Sequence, residues 1–318
     1  MLPKVDVHRH LGGCISSDTI WDIIRYHQPG LARTKESVYS QMVCEYPCTF
    51  DQFLNKFKIL DHIIWTDDAI DKAIEQVVRD IAAEGITYSE ISLSINKYIK
   101  HQNASPADIL CSIRQKIDKY EAIYNTKINI LLSIRYDSDI QSQIDQADLI
   151  NTNISDFVHG IDLVGDEKYF DKSFHGKLVR SWVDQGKQVR AHVGEIPGTN
   201  QAVLDAISIG VNRIAHGIHA DAHSLEIANK HNIYFDLALM SNLCLRSANN
   251  IYEHPITNMI KSGCLITINT DDPIQFNSTL DKEYELASKI LTSTQINTIK
   301  NNAINLSRMA DSYPARQI

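Results

Sequence analysis

None of the six cysteines (Cys14, Cys44, Cys48, Cys111, Cys244 and Cys264) forms a C-x-x-C pair, and the closest spacing, Cys44-x3-Cys48, is weak evidence for a metal site. That usage reads as reduced cysteines in a cytoplasmic protein. No apolar run approaches the roughly 20 residues that span a bilayer. The amino terminus has no positive region followed by an apolar stretch, so neither a membrane segment nor a secretory leader is expected. No block of lysine and arginine interrupts a net charge of −8, which argues against nucleic acid as a partner. Proline- or glycine-rich linkers, low-complexity segments and fixed-period repeats are missing too, so residues 1–318 read as one domain. At 43% hydrophobic content that length supports a large core.

What is present is an alternation. Short β-rich runs occur at KVDVHRH (4–10), ITYSEISLSI (86–95), KINILLSIR (127–135), FVHGIDLVG (157–165), KQVRAHVGE (187–195), RIAHGIH (213–219), NIYFDLAL (232–239) and LITINTDDP (265–273). Amphipathic stretches such as SPADILCSIRQKIDKYEAIY and SLEIANKH separate them. Eight strands divided by helices predict an α/β fold of the (β/α)8 TIM-barrel type. A doubly wound open sheet is the alternative, although it would not need to stop at eight. The segment 11–85 reads as a helical insertion after strand 1. DQFLNKFKILDHII and DDAIDKAIEQVVRDIAAEG are its helices, the second closed by Gly85. An insertion there sits on the carboxyl face of the barrel, the place for a lid.

His8 and His10 are two apart on a strand, so they share one face at its carboxyl end. Such a pair can converge on one ion and suits zinc, although two satisfied polar residues at a strand end would look the same. The other strand ends shift the balance. HVGE brings His192 and Glu195, AHG brings His216, and NTDDP brings Asp271 and Asp272. Each falls where barrel active sites are built, and closure makes strands 1 and 8 neighbours. His8, His10, His192 and Asp271 can offer a zinc ion three imidazoles and one carboxylate. Glu195 is then free to carry a proton, His216 to orient or deprotonate the metal's water, and Asp272 to accept a hydrogen bond from a substrate nitrogen.

The ordered set HRHLGG (8–13), DLVGDE (162–167), HVGE (192–195), AHG (215–217) and NTDDP (269–273), followed by FNSTLDKEY, resembles the adenosine deaminase family of the amidohydrolase superfamily, from near residue 2 to about 285. The resemblance implies a barrel binding one zinc through His8, His10, His192 and Asp271. It makes Glu195 the proton donor to the purine ring and His216 the group that orients or activates the attacking hydroxide. Gly165 would offer its N–H to the purine, Asp272 would meet the nitrogen on the imidazole side, and His10 and Gly12 would border the substrate. The implied reaction is hydrolytic deamination of a 6-aminopurine nucleoside, adenosine or a 5′-modified analogue, to the 6-oxo product and ammonia. Free adenine, a purine nucleotide or another heterocyclic amine are alternatives. A retired barrel that only binds is a remote one, which the intact ligand set opposes. Binuclear relatives carry a bridging lysine at the end of strand 4; here Lys168 comes only in the following loop, which favours one metal.

Some positions depart from the family. Gly12 replaces the aspartate of HxHLDG that binds a ribose 5′-hydroxyl, so the substrate either lacks that hydroxyl, carries a larger group such as a phosphate or thioether, or is held less closely there. SLSINKY (92–98) lacks the arginine of the EIRFSP pattern. Arg9 is expected to meet a carboxylate behind the barrel wall or to reach the rim. Asp162 reads as a satisfied structural carboxylate, and Cys14 as a buried small residue. Phe50, Phe53, Phe57, Leu60 and Trp65 recur as one packed helix face of the lid, with Phe53 and Phe57 also covering the pocket.

Overall fold

The computed structural model describes residues 2–311 apart from 32, 101, 103, 153, 155 and 156. It contains β1 (Lys4–His10), β2 (Ile86–Leu93), β3 (Lys127–Arg135), β4 (Val158–Val164), β5 (Gln188–Val193), β6 (Arg213–His216), β7 (Tyr234–Leu237) and β8 (Leu265–Ile268). The strands pair in parallel and in sequence order. The sheet closes just beyond β8, where Arg9 bridges Asp271. There the His10 N–H donates to the Asp271 carbonyl at 3.1 Å, and the Asp271 N–H donates to the His8 carbonyl at 2.8 Å. This is a (β/α)8 barrel, and its seam is made by residues that carry chemistry.

β1 and β3 keep the expected bounds, whereas β6, β7 and β8 are only four residues long. NTDDP lies past β8 instead of inside it. The reason is local: His216 and Asp271 adopt positive φ (64° and 62°), a conformation that ends an extended run and that a non-glycine residue adopts at a cost.

Helix Asp67–Ala83 buries Ile70, Ile74, Val77, Val78 and Ile81 on one face, with Thr66 capping its first turn. It packs against helix Pro106–Tyr124, which opens with a Ser105–Asp108 capping box. The run 51–64 is not one helix. It forms Phe50–Asn55 and Lys58–Asp61, because the Lys56 and Phe57 N–H groups turn back three residues, to Phe53 and Leu54. That break separates two tasks expected of one face. Leu60 and Trp65 are fully buried in the core, while Phe50, Phe53 and Phe57 line a cavity above the barrel. Phe53 stacks on Phe276 with ring centres 5.0 Å apart.

Arg9 is buried behind the wall on Asp6 (2.7 Å) and Glu84 (2.9 Å), the first of its two expected places. Cys14 is buried, and burial pushes its thiol up to about 12. Cys48 Sγ lies 3.7 Å from Cys244 Sγ, a neighbour 196 residues away in sequence. No described helix is long and apolar enough to cross a membrane.

The barrel interior is charged. Arg213 donates to Asp236 Oδ2 from Nε (3.0 Å) and Nη2 (2.6 Å), to Gln188 Oε1 (2.7 Å), to the Val7 carbonyl (2.7 Å) and to Glu90. Arg190 donates to the Val7 carbonyl (2.7 Å), to Ser92 Oγ (2.5 Å) and to Asp162 Oδ2 (2.6 Å). All these charged groups are buried, and together they lace six of the eight strands.

Candidate active site

At the carboxyl ends of the strands, His8 Nε2 and His10 Nε2 approach the same oxygen, Asp271 Oδ1, at 3.3 and 3.2 Å. The His192 ring centre lies 4.9 Å from that of His8 and 5.1 Å from that of His10. His216 lies 5.3 Å from His8 and from His192. Donor atoms of His8–His10–Asp271, His8–His192–His216 and His10–Asp162–His192 each fall within 4.8 Å of one another. The structure therefore gathers all four expected metal ligands, with His216 and Asp162 at the edge of the group.

The donors fit a divalent ion. His8 Nδ1 faces the Asp236 carbonyl at 3.4 Å, so it carries the proton, and the buried Nε2 is left without a hydrogen bond among the described residues. Burial lowers the pKa of His8 and His192, which keeps imidazole lone pairs available. Asp271 stays well below the usual carboxylate range: burial opposes this, but His8 and His10 outweigh it. Neutral His8 and His192 around an ionised carboxylate are donors that zinc takes; at His10 burial is outweighed by Asp272 and Asp271, which raise its pKa, and it gives up its proton on binding.

Glu195 lies beside this group, 3.6 Å from His216 Nε2. Burial, then the Asp271 charge, push its pKa well above the ordinary value. Its loop is held by Glu167, whose carboxylate accepts the N–H groups of Gly194 (2.5 Å), Glu195 (3.0 Å) and Ile196 (2.5 Å).

His216 is held in one tautomer by a chain that starts from a backbone donor. The Ile256 N–H can only donate, and it meets His254 Nδ1 at 3.3 Å. His254 Nε2 therefore carries the proton and donates to Asn242 Oδ1 (3.2 Å), so Asn242 Nδ2 donates to His216 Nδ1 (3.1 Å). The remaining proton of His216 is on Nε2, facing Glu195 and Asp271. Burial drops its pKa to about 3, so the ring is neutral.

Asp272 is buried against Gly13, where a Cβ would overlap its carboxylate, so the second glycine of HLGG makes room for it. Its Oδ1 has no partner among the described residues. Gly165 has φ +94° and lines the cavity, as do Gly12 and His10. That cavity measures about 810 Å³ and contains Glu195, His216, Asp271 and Asp272. Its size is that of a small-molecule site.

The family model for adenosine deaminase matches residues 3–316. The chain belongs to the adenosine deaminase family. Its members are hydrolases acting on carbon–nitrogen bonds of cyclic amidines. An adenosine deaminase of Clostridium botulinum (strain Okra) is 28% identical over 294 residues, 91% of this chain and 87% of the relative. Two solved structures share the fold. An amidohydrolase from Burkholderia ambifaria with bound zinc has a TM-score of 0.86 at 21% identity, covering 96% of this chain and 85% of the other. Arabidopsis ADAL complexed with IMP has a TM-score of 0.84 at 20% identity, covering 98% and 96%.

For a member of the adenosine deaminase family the chain also contains parts that its motifs do not announce. Asp162 is more than a satisfied carboxylate: one oxygen meets Arg190, Ser92 and, at 3.4 Å, His192 Nε2, while the other has no hydrogen bond among the described residues. Ser92 occupies the arginine position of EIRFSP, and the guanidinium that touches it comes from β5 instead. The R-x-H spacing of Arg190 and His192 is the one signal that could have placed that arginine under the site. Glu167 closes the DLVGDE motif, whose spacing does not show that it holds the Glu195 loop, and nothing local marks Asn242 or His254.

Proposed function

We propose that the protein is a zinc-dependent aminohydrolase that converts a 6-aminopurine nucleoside, adenosine or a 5′-modified analogue, to the 6-oxo product and ammonia. The observation that carries this reading is the convergence of His8, His10, His192 and Asp271 beside a buried acid, Glu195. Those four residues would hold the zinc. When bound, the ion supplies Lewis acidity and a water acidic enough to attack near neutral pH.

The chain's own residues do the rest. Glu195, protonated because it is buried beside Asp271, donates to the ring nitrogen next to the amine-bearing carbon and makes that carbon electrophilic. His216 points its Nε2–H at the attacking oxygen; neutral and with Nδ1 engaged by Asn242, it orients that oxygen instead of deprotonating it. Gly165 offers its N–H to the purine, and Asp272 faces the nitrogen on the imidazole side. The phenyl rings of Phe53 and Phe57 cover the base and exclude water. The expected cytoplasmic location is part of the same reading.

The test is direct. Purified protein is assayed for zinc content, and a panel of adenosine, 5′-deoxyadenosine, methylthioadenosine, AMP and adenine is followed by ultraviolet absorbance and ammonia release. Conversion of at least one compound with stoichiometric ammonia supports the reading. A metal-loaded protein inert towards the whole panel would remove it.

A further inference from the structure

Lys97 follows β2 on the short helix Asn96–Ile99, and its ammonium lies over Gly12. A Cβ added to Gly12 would come 3.1 Å from Lys97 Nζ, with Leu60 and Phe57 at 3.2 and 3.4 Å closing the same point. The lysine therefore fills the space that a side chain at position 12 would need. It lines the cavity, is half-buried, and makes no hydrogen bond or ion pair among the described residues; the Tyr98 ring, its centre 5.4 Å from Nζ, offers a cation–π contact but no charge. Asp61, Arg135 and Asp272 act on it only through space, and burial draws its ammonium down to about 8. A cation in such surroundings is costly unless an anion joins it.

The other charges at this end of the cavity do not supply that anion. Arg135 and Asp137 cancel in a two-bond pair at 3.0 and 2.7 Å. Lys58 and Lys100 are exposed at the mouth, opposed by the exposed Asp51 and Asp61. The balance of the wall is cationic, and Lys97 is its innermost member.

The cavity's geometry fixes which part of a substrate meets that wall. With the amine at the His8–His10–His192–Asp271 cluster, the base lies between Gly165, Glu195 and Asp272. The lining left over includes Gly12 and Lys97, with Lys58 and Lys100 at the mouth. In a nucleoside the group farthest from the amine is the 5′ end. We propose that this wall is an anion subsite with Lys97 as its receptor, and that the substrate is a 6-aminopurine nucleoside whose 5′ substituent is anionic, a phosphate or a carboxylate. The inference rests on the reading that the cavity takes a 6-aminopurine. An ammonium hydrogen-bonded to an anion is worth about 1.5–3 kcal/mol, or roughly 10- to 100-fold in binding.

The experiment uses the zinc-loaded full chain with AMP, adenosine-5′-carboxylate, adenosine and methylthioadenosine, and compares native protein with Lys97→Met and Lys97→Arg. In native protein AMP or the carboxylate should exceed adenosine in kcat/KM by at least about tenfold, and which of the two does so identifies the anion. In Lys97→Met the preference of anion over adenosine should fall about 10- to 100-fold, mainly through KM, and Lys97→Arg should restore most of it. Adenosine or methylthioadenosine as best substrate, or a preference unchanged in Lys97→Met, overturns the inference and leaves the deaminase reading intact. A second readout needs no turnover. Calorimetry with IMP and inosine should show tighter IMP binding that is lost in Lys97→Met. If no 6-aminopurine is deaminated, that IMP preference still supports the subsite; equal affinities, or no binding of either, overturn it.

Discussion

Arg213, near the amino ends of the strands, spends its three nitrogens on four acceptor oxygens from β1, β2, β5 and β7. One layer up, His8 Nε2 and Asp272 Oδ1 are equally buried yet hold no hydrogen bond among the described residues. Around Arg213 the lower layer is a closed network: the guanidinium, Glu90 and Asp236 satisfy one another. The upper layer is left open, with lone pairs and a carboxylate aimed at a common point. Buried polar atoms without partners are costly, so they persist where something else completes them. Arg190 joins the two layers, because the Asp162 oxygen it holds also faces His192.

Breaking the upper layer should cost activity with little cost in folding. The largest effect is expected for Glu195→Gln: a fall in kcat of about 10³- to 10⁴-fold with metal content unchanged, checked by steady-state rates and elemental analysis on one preparation. A variant that keeps native rates would show that the donor is another group. His192→Ala should lose metal together with rate, and a fully loaded, active variant would refute its place among the ligands.

Breaking the lower layer should do the reverse. Arg213→Met leaves Glu90 buried without its cation and Asp236 with only Arg190, 3.7 Å away, and should lower unfolding stability by about 3–5 kcal/mol in urea titration. Unaltered stability would mean that the network is not closed. Asn242→Leu tests the chain that holds His216 beside the upper layer. With the His216 tautomer no longer imposed, kcat should drop about 10- to 100-fold while zinc is retained.

The smallest effect is a slope. The folded state holds the Glu195 proton more tightly than the unfolded chain, since its pKa is raised. The stabilisation is full below the ordinary glutamate range and declines as pH rises towards the folded value. Metal-free Glu195→Gln should show a flatter dependence of stability on pH than the metal-free native chain. In turnover the same sign appears as loss of rate on the alkaline side, where the acid loses its proton.

Much of this was legible residue by residue. The extended runs of β1 and β3 and the helical face of 67–83 announce themselves because alternation and 3.6-residue spacing are local. The candidate metal donors were legible because each stands at the end of such a run. The break after Asn55 was not, because the apolar spacing of 50–65 fits a continuous helix, and only the separate demands of core and cavity split it. Nor was the ionic layer, since Glu90, Asp162, Arg190 and Arg213 each read alone as a polar interruption of a strand.

The amino-acid order by itself determined the eight-fold alternation, the place of the insertion and the identities of the imidazoles and acids at the strand ends, because these depend on neighbours a few residues apart. Tertiary structure alone decided that Ile256 sets the proton of His216 through His254 and Asn242, that Arg190 reaches Ser92, and that Lys97 stands over Gly12. Apart from the Ile256–His254 contact, these are through-space encounters between groups 12 to 98 residues apart, with hydrogen-bond and charge geometry that exists only after the barrel has closed.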